Sequence, residues 1–244
     1  SRRRAGLKDA TSRALSSRMA RCGRMGRADM EGVLPHSLAR VVAVCDLDSK
    51  RLRAGKELVE QFYRRQGEFK PEVKTCADYH ELIRDRSIDA VVVSTPDHWH
   101  AYMAILAARK GLHIYGQKPL ALNVAEGRRM VDEINKAGVT WQTGSQQRSD
   151  IYFRMACEFV RNGRIGKVKR VRVGLPGGHT NWNGQGDQVK PVPPPEDFDY
   201  QMWLGPAEEM EYRPALLPLN WRHNYNFSGG IDRKSTRLNS SHRT

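Results

Sequence analysis

Residues 89–120 constrain the fold more than any other part of the chain. The apolar run Ala90–Val93 predicts a strand buried on both faces, which ends at Ser94-Thr95-Pro96. A helical pattern follows, and a second short strand, Leu112–Tyr115, leads to Lys118-Pro119. Ligands of open α/β sheets lie beyond the carboxyl ends of the strands. The two polar corners therefore predict one binding rim.

Apolar strands and amphipathic helices alternate through the first 145 residues. Further short strands are predicted at Val41–Val44, Val73–Thr75 and Val139–Thr143. This alternation predicts an α/β fold, a Rossmann-type doubly wound parallel sheet. After residue 148 the pattern changes to a helix at Ile151–Asn162, an alternating strand at Lys167–Gly174 and a proline-rich loop. We expect an incomplete α+β second domain there.

Two motifs around the predicted rim resemble the Gfo/Idh/MocA family of nicotinamide oxidoreductases. The family's T-P-x-x-x-H signature matches Thr95 to His100, and its E-K-P-L signature matches Gln117 to Leu120, with glutamine in place of glutamate. The resemblance covers about residues 23–230. It implies hydride transfer between a nicotinamide cofactor and a secondary alcohol of a sugar or polyol, in a homo-oligomer.

The resemblance also implies roles for individual residues. Lys118 corresponds to the lysine that hydrogen-bonds the reacting substrate hydroxyl, where a cation stabilises developing alkoxide charge. Gln117 lies near the cofactor ribose, where its amide still hydrogen-bonds hydroxyls. The expected cofactor-binding residues are Gly23, Arg24, Met25, Gly26, Asp46, Ser94, Thr95, Pro96, His98, His100, Gln117, Lys118 and Gln146.

Gly23 and Gly26 match the last two glycines of the dinucleotide motif G-x-G-x-x-G, and Arg21 stands at the first. Asp46 follows Gly26 by twenty residues, the separation at which an acid meets the ribose hydroxyls. A carboxylate there favours NAD, with NADP as the alternative cofactor. The structural alternative for Asp46 is a helix-capping aspartate.

The segment before these glycines does not look like an apolar strand. Residues 16–20 read Ser-Ser-Arg-Met-Ala, and the first strand of this fold is central. Placing Arg18 and Arg21 in that position would bury unpaired charge. We therefore expect the first strand to be corrupted and the chain to fold poorly.

Histidines and aromatic residues outside the strand ends have two interpretations each. His98 and His100 either contact the cofactor or pack at the start of a helix, and their i, i+2 spacing makes a shared metal site unfavourable. Possible substrate-binding residues, each with surface pairing or packing as the alternative, are Arg148, His179, Trp182, His223 and Tyr225.

The net charge of +14 at first suggests nucleic acid as a partner. Residues 1–30 carry nine basic against two acidic side chains, and residues 232–244 carry four against one. Only +4 remains between them, so a basic face is not predicted and nucleic-acid binding becomes a minor alternative.

Four cysteines without regular spacing predict reduced buried thiols. No apolar run reaches the ~18 residues of a membrane span, so no membrane-spanning helix is predicted. Ser1-Arg2-Arg3-Arg4 faintly resembles a twin-arginine signal, but the apolar segment that such a signal requires does not follow. We therefore expect a cytoplasmic protein, with export by a twin-arginine signal as the alternative.

Both ends of the chain look foreign. Residues 232–244 resemble a translated sequencing adapter, so we expect a fragment in four parts: a basic, non-native or disordered segment 1–22, a nucleotide-binding domain 23–145, a truncated substrate and oligomerisation domain 146–231, and a non-native tail 232–244. Many family members carry an acid/base pair, D-x-x-x-H, after the segment matching Ser228-Gly229-Gly230. Its loss predicts a weak or inactive enzyme, and the alternative is a catalytically silent dinucleotide-binding module.

Overall fold

The computed structural model describes residues 12–17, 23–172, 190–217 and 220–230, and of residues 12–17, 23 and 24 it describes the backbone alone. Within these residues one six-stranded sheet has the order β3-β2-β1-β4-β5-β6, and every neighbouring pair is parallel. The strands are β1 Ser12–Ser17, β2 Ala39–Cys45, β3 Lys74–Cys76, β4 Ala90–Val93, β5 His113–Gln117 and β6 Trp141–Gly144. This order confirms the predicted doubly wound sheet.

The first five described helices connect successive strands, and two more follow the last strand. They are α1 Gly23–Val33, α2 Ser49–Arg65, α3 Tyr79–Arg84, α4 Asp97–Arg109, α5 Val124–Ala137, α6 Ile151–Arg161 and α7 Tyr200–Leu204. Helix α5 begins after Asn123, whose side chain caps the helix by accepting a hydrogen bond from the Glu126 amide. It ends at Gly138, whose φ of 67° is the left-handed conformation that glycine adopts readily.

The prediction that no proper strand precedes the glycines is wrong. Strand β1 lies between β2 and β4, with Ala14 in register with Val41 and with Ala90. The error lay in placing the strand directly before the glycines, at residues 16–20. The strand ends at Ser17, so Arg18 and Arg21 follow it in the sequence, and the sheet begins eleven residues before the boundary predicted at Gly23.

The sheet is buried on both faces. In β2, Ala43 and Cys45 join the cluster that includes helices α3 and α4, whereas Val44 packs with Met30 and Val59 on the side of α1 and α2. This arrangement explains why the strands are continuous apolar runs rather than alternating ones.

The second segment, residues 190–217 and 220–230, covers the face formed by α4. Trp203 of α7, Trp221 and Phe227 are almost fully buried in the same cluster as Trp99. The chain can approach Trp99 this closely because Gly205 has no side chain: a Cβ atom there would lie 1.9 Å from the Trp99 ring.

Two predictions about the later part of the chain need correction. Residues 167–172 of the predicted strand Lys167–Gly174 form no strand among the described residues, since no described strand pairs with them, and Val171 is 76% exposed. Among the three cysteines that the structure describes, Cys45 has the predicted buried thiol, whereas Cys76 is partly exposed and Cys157 is exposed on α6. Residues 1–11, Ile231, the tail 232–244, Cys22, His179 and Trp182 lie outside the described residues.

Candidate functional site

The two corners predicted from the sequence are neighbours. Strands β4 and β5 are adjacent, with Val93 in register with Gly116, so Thr95 and Lys118 follow at the same edge of the sheet. His100 joins the corners, because its two ring nitrogens contact the carbonyl oxygens of Thr95 and Pro119. The corners therefore form two sides of one crevice.

Lys118 lies half-buried on the β5 side of this crevice. Burial lowers the pKa of the Lys118 ammonium, the Asp97 carboxylate opposes that change, and the Arg222 guanidinium adds to it. Asp97 is the first residue of α4, and Arg222 belongs to the short 3-10 helix Asn220–His223. The lysine is thus placed among charges from helix α4 and from the second segment.

Asp97 also receives a hydrogen bond from the second segment. The Ser228 hydroxyl donates to Asp97 Oδ2 at 2.6 Å, and both side chains are about 1% exposed. This contact holds the Ser228-Gly229-Gly230 segment at the start of α4. It brings this segment to Asp97, one of the two charges that act on Lys118.

His98 connects α4 to the second segment. Its Nε2–H donates to the Trp203 carbonyl at 3.0 Å, and its ring packs against the rings of Trp203 and Phe227. Burial lowers the pKa of His98 to about 4, so the imidazole is neutral near pH 7. Of the two interpretations given for His98, these contacts match packing at the start of the helix.

A second polar cluster lies at the same edge of the sheet and centres on Asp29 of α1. Its carboxylate accepts hydrogen bonds from Ser94 Oγ at 2.5 Å and from Gln117 Nε2 at 2.8 and 3.0 Å. Gln146 Nε2 lies 3.5 Å from Asp29 Oδ1. Three predicted cofactor-binding residues, from the ends of three strands, thus converge on one side chain that the sequence analysis did not select.

The other end of the crevice lies between β1 and β2. Gly23, Arg24, Met25 and Gly26 form the first turn of α1, whose N-terminus follows the central strand. A helix N-terminus in this position binds phosphate through its backbone N–H groups. Asp46 follows β2, is 1% exposed and accepts a hydrogen bond from the Asp48 amide.

The capping alternative for Asp46 is not what the structure shows. The N-cap of α2 is Asp48, whose carboxylate accepts from the amides of Lys50 and Arg51. Asp46 precedes the cap and lies at the strand end, where the motif spacing predicts the ribose contact.

The crevice has a polar atom suited to a nucleotide. Thr95 Oγ1 is buried and has no hydrogen-bond partner among the described residues. A buried hydroxyl without a partner is costly unless a ligand or water pairs with it. Together with the α1 N-terminus and Asp46, it fits a dinucleotide laid across the carboxyl ends of β1, β2 and β4.

The roles of the predicted substrate residues stay predictions. Arg148 and His223 are exposed, Tyr225 is 88% exposed, and Trp182 lies outside the described residues. The residues that the sequence analysis missed are Asp29, Asp97, Arg222 and Ser228. A signal existed for Asp29, since a carboxylate next to buried Met30 on a helix needs a partner in the fold.

Among the described residues, no group of three or more His, Cys, Asp or Glu side chains is arranged to hold a metal ion. A search of the same residues finds no helix with the length and apolar character needed to cross a membrane.

Comparison with known proteins places the fold in a family. Residues 19–145 match the sequence profile described as "Oxidoreductase family, NAD-binding Rossmann fold", and residues 149–234 match "Oxidoreductase family, C-terminal alpha/beta domain". A myo-inositol 2-dehydrogenase of Thermotoga maritima is 33% identical over 178 residues, which cover 72% of this chain and 46% of that protein. A scyllo-inositol 2-dehydrogenase (NAD(+)) of Bacillus subtilis is 35% identical over 94 residues, covering 38% of this chain and 28% of that protein.

The solved structures agree. Myo-inositol 2-dehydrogenase from Lactobacillus plantarum superposes with a TM-score of 0.54 at 29% identity, covering 64% of this chain and 43% of that one. The chain thus spans less than half the length of these relatives. Because the first profile alone covers more than half of the chain, and the second profile follows it, the chain belongs to the Gfo/Idh/MocA family of oxidoreductases.

Proposed function

We propose that this protein is an NAD-dependent dehydrogenase that oxidises a secondary alcohol of a sugar or polyol. The relatives that carry an assigned activity include two inositol 2-dehydrogenases, which act on cyclic polyols. When bound, the nicotinamide exchanges hydride with the substrate carbon. The side chains of this chain bind the dinucleotide, orient the alcohol and handle its proton.

The observation that carries the proposal is the position of Lys118. Its ammonium lies on the β5 side of a crevice that fits a dinucleotide, close enough to Asp97 and Arg222 for both charges to affect its pKa. A cation at this point stabilises the alkoxide that forms as the substrate hydroxyl loses its proton. Because burial lowers the pKa of Lys118, its Nζ also releases a proton more readily than a solvated lysine does.

Asp46 supports NAD over NADP. Its buried carboxylate lies at the end of β2, where it would accept hydrogen bonds from the ribose hydroxyls and repel a 2′-phosphate. The substitution Asp46→Ser removes the charge and puts a hydroxyl in place of the carboxylate. We expect it to weaken NADH binding about tenfold while NADPH binding stays equal or improves. Unchanged preference in parallel fluorescence titrations would remove Asp46 from the cofactor site.

The function is tested on the 244-residue chain in two steps. The first titrates NADH and follows its fluorescence, and the second measures NAD reduction with myo-inositol and scyllo-inositol as substrates. Lys118→Ala is expected to lower turnover by about 10²-fold or more, with a smaller loss in Lys118→Arg, which keeps the charge. Lys110→Ala is the matched control. Lys110 is an exposed lysine at the C-terminal end of α4, whereas Asp97, which acts on Lys118, is at the N-terminal end.

The outcomes separate the proposal from its rival. Turnover that depends on Lys118 supports the dehydrogenase. NADH binding without turnover on either polyol supports the catalytically silent dinucleotide-binding module. Absence of NADH binding contradicts both.

A further inference from the structure

The Asp29 cluster ties the two corners of the crevice to helix α1. The Asp29 carboxylate is 8% exposed, and the Gln117 side chain that donates to both of its oxygens is 4% exposed. Ser94 donates to the same carboxylate from β4 across 65 residues of sequence, and Gln117 donates from β5 across 88 residues. One buried side chain therefore fixes the ends of two strands.

The hydrogen bonds between Gln117 and Asp29 require a donor at one position and an acceptor at the other. Gln117 stands where the family signature has glutamate, and its Nε2 lies 2.8 Å from Asp29 Oδ1. A glutamate in the same position would face Asp29 with a second carboxylate, and two carboxylates that share a buried site repel each other, which raises the pKa of one of them. The amide of Gln117 and the carboxylate of Asp29 are therefore complementary.

The space around Gln117 leaves its side chain little freedom to turn away. A Cβ atom at Gly144 of β6 would lie 3.0 Å from Gln117 Nε2, so the neighbouring strand approaches the amide closely. A disturbed contact with Asp29 would consequently shift the backbone at the end of β5. Thr95 follows Ser94 directly and Lys118 follows Gln117 directly, so that shift would reach both sides of the crevice.

We propose that Asp29 and Gln117 are a matched positioning pair that sets the geometry of the dinucleotide crevice and of Lys118. The proposal rests on the function proposed above. Neither residue needs to touch the substrate, because the pair acts through the two strand ends. The pair also accounts for how this chain tolerates a glutamine in the signature.

The test uses the variants Gln117→Glu, Asp29→Asn and the double exchange of both, with NADH affinity measured by fluorescence at pH 8 and pH 5.5. We expect Gln117→Glu to weaken binding about tenfold or more at pH 8, and less at pH 5.5, where one carboxylate takes up a proton. Tyr115 also faces Asp29, but its pKa is raised by burial and by Asp29, so it keeps its proton at both pH values. The double exchange restores a donor opposite a carboxylate and should bind within about threefold of the parent.

Gln142→Glu is the matched control, because it adds the same charge to an exposed position on β6. If Gln117→Glu does not fold, Asp29→Asn and Ser94→Ala test the positioning role instead. NADH binding as strong as in the parent chain in both of these variants would contradict that role. Parent-like binding by Gln117→Glu at both pH values also overturns it, as does a double exchange no better than the two single changes combined. Absence of NADH binding by the parent chain contradicts the proposed function and the positioning role together, whereas NADH binding unaffected by these variants contradicts the positioning role alone.

Discussion

The Ser228 hydroxyl donates a 2.6 Å hydrogen bond to the Asp97 carboxylate, across 131 residues of sequence. Both groups are buried, and Asp97 is also one of the two charges that act on Lys118. The contact therefore links the second segment, through Asp97, to Lys118, which we expect to hydrogen-bond the reacting substrate hydroxyl.

Removing this hydroxyl should cost stability because the Asp97 carboxylate stays buried. We expect Ser228→Ala to lower the free energy of unfolding by about 1–3 kcal/mol, measured by urea denaturation. Ser87→Ala is the control, since Ser87 Oγ makes a similar 2.7 Å bond to Asp85 in an exposed position. Equal losses in the two variants would show that burial of the Ser228 contact is irrelevant.

Asp97→Asn should lower the pKa of Lys118 further, because the carboxylate is the group that stabilises the ammonium there. The amine then loses its proton at a lower pH. Mass spectrometry of acylation rates at pH 7–9 should show faster labelling of Lys118 than in the parent chain. Asp132→Asn, at an exposed position on α5, is the control. Slower or unchanged labelling of Lys118 would contradict the electrostatic contact.

Acid should destabilise the fold through His98. Burial lowers the pKa of His98 to about 4, whereas an unfolded histidine titrates near 6.5, so the unfolded chain binds the extra proton between these values. The His98 contribution is complete above about pH 6.5 and is lost as the pH falls towards 4, by up to about 3 kcal/mol. Urea denaturation at pH 7 and pH 5 should show a smaller difference in His98→Gln than in the parent. The exposed His223→Gln should keep the full difference.

Gly205 should not tolerate a side chain. Its φ is +50°, and an added Cβ would lie 1.9 Å from the Trp99 ring, so Gly205→Ala should cost about 3 kcal/mol or more. Gly138 also has a positive φ, but no atom lies within 4 Å of its added Cβ. Gly138→Ala should therefore lose only about 1 kcal/mol, and thermal unfolding of the two variants separates steric clash from backbone strain.

Local patterns predicted the sheet and the crevice well. The strand Ala90–Val93, the turn after it and the lysine beyond the next strand lie within 32 residues, so their relation could be inferred from the sequence. The first strand was misplaced because Ser12–Ser17 contains one large apolar residue, and its identity as a strand depends on its neighbours.

The Asp29 and Asp97 contacts could not be predicted in this way. Asp29 is joined to Ser94, Gln117 and Gln146 across 65 to 117 residues, and such pairings have no periodic signature. His98 and Trp99 were visible in the sequence, but their acceptor, the Trp203 carbonyl, is a backbone atom that no side-chain pattern marks.

That carbonyl has a consequence for how the chain can be divided. It accepts from His98 Nε2 at 3.0 Å and from Trp99 Nε1 at 2.9 Å, so both of its lone pairs are used by helix α4. The two family profiles meet between residues 145 and 149. A cut there would separate the His98 imidazole and the Trp99 indole from the carbonyl that accepts their hydrogen bonds. Modules that are separate as sequence units thus form one thermodynamic unit, and a single melting transition is expected of both together.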